Sequence, residues 1–159
     1  MKVRVGFGFD VHQLKEGYDF WLGGIKIEHH KGAAGHSDAD ALIHAVCDAL
    51  LGAAGMRDIG YHFPDTSSQY KGIDSKILLG DVVKMLKKEN FSIGNIDVTL
   101  CLQSPKINPY INSMKDALTS VMQIALEDIS IKATTTEKLG YVGREEGVSA
   151  YAVALIIKN

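Results

Sequence analysis

The sequence predicts a two-layer α/β sandwich, a sheet covered by helices on one face. Three observations carry this. Val3, Val5, Phe7 and Phe9 alternate with small or polar residues up to His12, the period of two that marks a strand. Three later segments repeat apolar residues at helical spacing, with strand-like runs between them. The final run, 148–157, is almost continuously apolar at its centre, which suits a strand in the middle of a sheet. Long strands alternating with helices fold into layers around one core, so residues 1–159 are expected to form a single domain.

Taken in order, the first strand brings Asp10 and His12 to one face, because successive strand side chains point to opposite sides. Residues 20–22 and 25–27 read as a short hairpin around Gly23-Gly24. His29-His30-Lys31-Gly32 reads as a loop, and neighbours in sequence seldom chelate one ion together. A helix is expected to open at Gly35-His36-Ser37-Asp38-Ala39-Asp40, with Ser37 as its N-cap, and to run to about Leu51, before Gly52 and Gly55. Leu42, Ala45, Val46, Ala49 and Leu50 form its apolar side, while Asp40, His44 and Asp48 make a polar stripe. Residues 58–66 read as an irregular loop fixed by Pro64 and rich in aromatic and ionisable groups.

A second helix spans roughly 74–89, buried through Leu78, Val82, Met85 and Leu86, with its lysines towards the C-terminus. Residues 96–102 alternate as a strand. Asn108 and Pro109 open a third helix, in which Ile111, Met114, Leu118, Val121 and Met122 recur at helical spacing. A strand follows at 128–133, with Ile129 and Ile131 inward, then a polar, glycine-punctuated turn over 134–144.

Composition narrows the partners. Hydrophobic residues make up 46% of the chain and charged residues 23%, an ordinary globular balance. The formal net charge is −2 and lysine and arginine form no run, which argues against nucleic acid, since phosphate-backbone binding needs a basic patch. No apolar run approaches the roughly 20 residues needed to cross a bilayer, and no signal core follows Met1. Cys47 and Cys101 lie in apolar settings and read as buried thiols of a reducing compartment, the cytoplasm or an organelle stroma reached through a removed transit peptide.

Three constellations carry chemistry. Asp10, His12 and His44 have the composition of a zinc site with an open fourth position. On the helix stripe, Asp40 and Asp48 are placed to orient the His44 ring from behind. Thr134-Thr135-Thr136-Glu137 offers hydroxyls and N–H groups to phosphate oxygens and a carboxylate to a hard cation such as Mg²⁺ or Mn²⁺. His36-Ser37, at the expected helix start, offers an anion site. Together they imply a substrate with several phosphoryl groups. No Gly-x-Ser-x-Gly elbow, Walker A loop or His-Glu-x-x-His helix is present.

Six motifs in order then mark a resemblance. They are Gly8-Phe9-Asp10-Val11-His12, Gly35-His36-Ser37-Asp38-Ala39-Asp40, Asp48-Ala49-Leu50-Leu51-Gly52-Ala53, Asp58-Ile59-Gly60, Phe63-Pro64-Asp65-Thr66, and Lys132-Ala133-Thr134-Thr135-Thr136-Glu137-Lys138-Leu139-Gly140. Over its whole length the chain resembles the 2-C-methyl-D-erythritol 2,4-cyclodiphosphate synthases of the non-mevalonate isoprenoid pathway. The resemblance implies conversion of 4-diphosphocytidyl-2-C-methyl-D-erythritol 2-phosphate to the cyclic diphosphate with release of CMP. It implies that Asp10, His12 and His44 bind Zn²⁺, and that His36 and Ser37 hold the 2-phosphate through backbone donors.

By the same resemblance Asp58, Gly60 and Asp65 line the methylerythritol pocket, and Ile59, Phe63, Pro64, Thr66 and Ser67 belong to the substrate-binding residues around them. Leu102, Gln103, Ser104, Pro105, Lys106, Ile107 and Asn108 cup the cytosine, helped by Ala133 and Thr134. Thr135, Thr136 and Glu137 serve the diphosphate, Glu137 through Mg²⁺ or Mn²⁺, and Tyr141 and Arg144 lie near the site. His36 and Thr135 match transition-state stabilisers. The family is a homotrimer whose active sites lie between subunits, one supplying zinc and sugar pocket, the next the cytidine pocket.

Three positions depart from the family pattern. Ser67 stands where many members carry aspartate, Leu102 where a small residue is common, and Val142 where threonine is frequent. The readings to be separated from synthase are a zinc phosphohydrolase that activates water with the same ligands, and a non-catalytic nucleotide-binding module with structural zinc. A structural site is closed by four ligands, and only three residues here suit one site.

Overall fold

The computed structural model describes residues 1–159. In chain order the strands are β1 (Lys2–Glu16), β2 (Phe20–Leu22), β3 (Ile25–Ile27) and β4 (Lys31–Ala34); then come helices α1 (Ala41–Ala54), α2 (Ile59–His62) and α3 (Ser75–Lys88). Strand β5 (Phe91–Cys101), helix α4 (Ile111–Met122), strand β6 (Ile129–Thr134), helix α5 (Gly140–Gly143) and strand β7 (Gly147–Lys158) complete the chain. The main sheet has the order β4-β1-β7-β5-β6, and β2 and β3 form a separate hairpin. Neighbours are antiparallel except β5 and β6, which run parallel around the α4 crossover. The apolar strand β7 lies at the centre, as its composition predicts.

Helices α1, α3 and α4 cover one face of the sheet. From β5, β6 and β7 this face receives Ile96, Val98, Leu100, Ile129, Ile131, Val148, Ala150, Ala152, Ala154 and Ile156, all buried. Helix α1 is buried on nearly every side and packs directly on β1 and β7. The alternation of β1 runs opposite to the usual sense. Gly6 and Gly8 face α1, while Val3, Val5, Phe7, Phe9 and Val11 face outward and are exposed. The reason is close approach: a Cβ on Gly8 would stand 1.9 Å from the Ala45 carbonyl oxygen, and one on Gly6 1.9 Å from that of Ala49. Only glycine lets the helix backbone lie this near the strand. The outer face, continued by Tyr151 and Val153, carries no covering layer.

Helix α3 begins within a residue of its expected start, because Asp74 caps it by accepting from the Lys76 N–H. Other boundaries differ. The N-cap of α1 is Asp40, not Ser37, and residues 35–38 are bends ahead of the helix. Asp40 wins because its carboxylate accepts three N–H groups at once, from Ile43 on the helix and from Gly23 and Gly24 in the hairpin turn. Gly52 lies inside α1, which ends at Gly55 in the left-handed region, φ 76°. Asn108 and Pro109 open a 3₁₀ turn that leads into α4 rather than capping the helix itself. Residues 31–32 and 59–62, read as parts of loops from sequence, belong to the edge strand β4 and the short helix α2 respectively. No helix is long and apolar enough to cross a membrane.

Candidate metal centre and active site

Asp10 and His12 leave β1 on its helix-facing side, beyond the glycines, and His44 projects from the first turns of α1 to meet them. Asp10 Oδ2 lies 2.8 Å from His12 Nε2 and 3.1 Å from His44 Nδ1, and the two ring nitrogens are 3.2 Å apart. Three tetrahedral ligands of an ion held at about 2.0–2.1 Å stand about 3.3 Å from one another. The triangle therefore fits a zinc-sized ion in both spacing and donor chemistry, with its fourth position open to a cleft. Burial pushes the Asp10 carboxyl upward in pKa, but hydrogen bonds and charge from His12 and His44 outweigh it and hold the group at about 2. For His12, burial disfavours the imidazolium and the Asp10 carboxylate overcomes this, so its pKa is raised. The triangle is a place that favours positive charge.

Each imidazole is fixed from behind. His12 Nδ1–H donates to the Ala34 carbonyl at 3.1 Å, leaving Nε2 free to ligate. His44 Nε2 lies 2.9 Å from Ser75 Oγ and 3.2 Å from Ser37 Oγ. The expected orientation of His44 by Asp40 and Asp48 is not what the fold builds. Asp40 is spent on capping and on the hairpin, and Asp48 accepts the Ile59 N–H at 2.8 Å, tying α2 to α1. A carboxylate on the same helix stripe points along the helix surface, whereas the His44 ring reaches across to α3.

The cleft beside the triangle has a volume of about 290 Å³. His12, His36, Ser37, His44, Ile59, Gly60, Phe63 and Asp65, all singled out from the sequence, line it together with Tyr70 and Leu78. Tyr70 stacks edge-on to Phe63, with centroids 5.6 Å apart; neither it nor Leu78 belongs to a motif, and only its nearness to the 58–67 stretch hinted at its place. The N–H groups of His36 and Ser37 have no partner within the chain, so an anion can take them although no helix starts there. His36 Nε2–H donates to the Ser67 carbonyl at 2.9 Å, so position 67 acts through its backbone. Asp58 caps α2 by accepting the Tyr61 N–H. Asp58, Pro64, Thr66 and Ser67 are not part of the cleft lining.

A second cleft, of about 230 Å³, is lined by Leu102, Gln103, Pro105, Lys106, Ile107, Asn108, Ala133, Thr134 and Thr135. Ser104 joins Pro105 through a cis peptide in its wall. The turn that follows β6 takes two successive left-handed residues, Glu137 (φ 53°) and Lys138 (φ 63°), and leaves the Glu137 side chain exposed. Thr135 Oγ1 accepts the Glu137 N–H, and Gln103 Oε1 accepts that of Lys138. Tyr141 and Thr136 border a further hollow beside Ser149, and Arg144 pairs with Glu146 at the surface. The two main clefts share no residue. Asp10, Ala150, Leu100 and Ala133 lie in one row across four strands, so metal centre and second cleft are three strand spacings apart, about 14 Å.

Residues 3–157 match the model of the YgbB family. The chain is 64% identical over 158 residues to the 2-C-methyl-D-erythritol 2,4-cyclodiphosphate synthase of Cytophaga hutchinsonii, covering 99% of both chains. It is also 64% identical over 159 residues to that of Bacteroides thetaiotaomicron, covering 100% of both. Among solved structures, a CDP-bound 2C-methyl-D-erythritol-2,4-cyclodiphosphate synthase superposes with a TM-score of 0.89 at 34% identity, over 97% of this chain and 100% of that one. The bifunctional IspDF of Campylobacter jejuni superposes with a TM-score of 0.94 at 37% identity, over 98% of this chain and 42% of that one. The chain belongs to the YgbB family.

Proposed function

We propose that the chain cyclises 4-diphosphocytidyl-2-C-methyl-D-erythritol 2-phosphate to 2-C-methyl-D-erythritol 2,4-cyclodiphosphate and releases CMP. The observation that carries this is the metal triangle opening into a cleft with free N–H donors, in a chain 64% identical to synthases of that name. An oxygen of the 2-phosphate attacks the β-phosphorus, and the bond from that phosphorus to the CMP oxygen breaks. The nucleophile comes with the substrate, so the residues supply position and charge rather than a strong base.

Asp10, His12 and His44 hold Zn²⁺ in this reading, and when bound it supplies Lewis-acid charge to phosphate oxygens. The N–H groups of His36 and Ser37 take the 2-phosphate, and the His36 ring, braced on Ser67, limits its rotation. Ile59, Gly60, Phe63 and Asp65 enclose the methylerythritol unit. The second cleft takes the cytosine, in keeping with CDP in the solved relative. Thr135 stabilises charge on the diphosphate, and exposed Glu137 holds the Mg²⁺ or Mn²⁺ that travels with it. Metal centre and cytosine cleft lie three strands apart on one chain, and in this reading, as the family resemblance implies, the substrate bridges the metal half of one copy and the nucleotide half of the next. The uncovered face of Val3, Val5, Phe7, Phe9, Tyr151 and Val153 is what a homotrimer would bury.

Phosphorus NMR of the protein with the diphosphocytidyl substrate and Mg²⁺ tests the reading. It predicts one cyclic diphosphate and one CMP per substrate. Inorganic phosphate in place of the cyclic product would make the chain a phosphohydrolase, and unchanged substrate a binding module.

A further inference from the structure

Behind His44 stands a chain of three side chains that no sequence motif joins. Ser75 is fully buried at the first position of α3, and its hydroxyl has one proton to give. That proton goes to Asp38 Oδ1, 2.5 Å away. The acceptor is held for it: Asp38 Oδ2 accepts the Ser75 N–H at 2.9 Å, and Oδ1 also faces the Asp40 N–H at 3.2 Å. The carboxylate thus sits at the N-terminal, positive end of a 14-residue helix. With its proton committed, Ser75 Oγ can show His44 Nε2 only a lone pair, at 2.9 Å.

An imidazole that ligates through Nδ1 must carry its proton on Nε2. We propose that Ser75, polarised by Asp38, is the positioning residue that fixes this tautomer and the rotation of the His44 ring, and so sets the affinity of the metal centre. Ser37 Oγ does not fix the tautomer. It lies 3.2 Å from Nε2 and accepts from the Ala39 N–H, which leaves it both a second lone pair and an uncommitted proton to turn towards the ring. Asp38 reaches the metal ligand only through Ser75, across 37 positions of sequence.

The inference rests on the zinc reading above, and its test separates the two. Zn²⁺ affinity is measured by competition with a chromophoric chelator for the wild type, Ser75→Ala and Asp38→Asn. Loss of a group that orients a ligating histidine is expected to weaken binding about 10–100-fold. Asp38→Asn keeps shape, but its NH₂ can donate to Ser75 Oγ and turn the hydroxyl proton towards His44, so it should weaken zinc although Ser75 is intact. Because the two act in series, the double variant should be little worse than the poorer single one. The second readout is the ring N–H of His44 in the zinc-loaded protein, seen by histidine-labelled NMR: protected from exchange in the wild type, exchanging in Ser75→Ala. A merely structural serine would lower the unfolding midpoint and leave this signal in place. If the wild type binds no zinc, the metal reading itself fails. If it binds one ion and both variants bind as tightly with the signal retained, the relay fails and the metal reading stands.

Discussion

Replacing Gly8 with alanine should weaken the metal centre without touching a ligand. The added Cβ would meet the Ala45 carbonyl oxygen at 1.9 Å and the Ala49 nitrogen at 2.7 Å, both backbone atoms of α1. Ordinary contact begins at 3.4 Å, so the helix must retreat by about 1.5 Å, and an overpacked core of this kind costs about 1–3 kcal/mol. His44 is the neighbour of Ala45 and moves with it, while Asp10 and His12 stay on the strand. The 3.1 Å spacing of His44 Nδ1 from Asp10 Oδ2 cannot survive such a shift. Disturbing what positions a ligating histidine costs about 10–100-fold in metal affinity, and zinc affinity should fall within that range. Urea unfolding of metal-free protein reads the first effect, and chelator competition the second. Gly52→Ala is the control: it lies on the same helix, a Cβ there meets nothing within 4 Å, and it should add about 0.5–1 kcal/mol of stability at unchanged zinc affinity. Wild-type zinc affinity in Gly8→Ala would refute the reasoning.

Asp40→Ala strips three buried N–H groups of their acceptor and should cost at least about 3 kcal/mol in urea unfolding; a loss below about 1 kcal/mol would contradict its role as joint cap and hairpin clamp. The Asp10 carboxyl titrates at about 2 when folded against 3.8 as a free side chain, so folding favours its ionised form. In metal-free protein its contribution, roughly 2 kcal/mol, is present above about pH 4 and lost as pH falls towards 2. The stability gap between wild type and Asp10→Asn should close over that window, and a gap constant from pH 6 to pH 2 would count against it. Phe7, 63% exposed at the centre of the uncovered sheet face, should tolerate glutamate in the fold but not in the proposed homotrimer. Sedimentation of Phe7→Glu should give monomer, and an intact trimer would move the interface elsewhere.

Much of the architecture was legible because local signals agreed. Asp74 and the apolar spacing of α3 mark one helix start almost to the residue, and the unbroken apolar centre of β7 marks the strand with neighbours on both sides. In β1 the sequence pattern locates the ligands better than the core: a period of two puts Asp10 and His12 together, but cannot say which face is covered. Gly6 and Gly8 answer that only once α1 lies on them. Ser37 looked like the cap of α1 because N-cap chemistry is local, whereas Asp40 owes its place to a hairpin 16 or 17 residues away. Asp38 and Ser75 stayed hidden for the same reason, and so did Tyr70 and Leu78, whose part in the cleft depends on how 58–70 folds against α3.

A site assembled from the metal half of one copy and the nucleotide half of the next can be tested by complementation. His44→Ala disables the first half and Glu137→Gln the second, and each variant alone should lose most turnover. In the homotrimer proposed above, a randomly reassembled equal mixture is about three quarters mixed trimers, and each mixed trimer contains one site with both halves intact. The mixture should therefore regain about a quarter of the wild-type rate of cyclic diphosphate formation. A mixture no more active than its two components would place both halves of the site on a single chain.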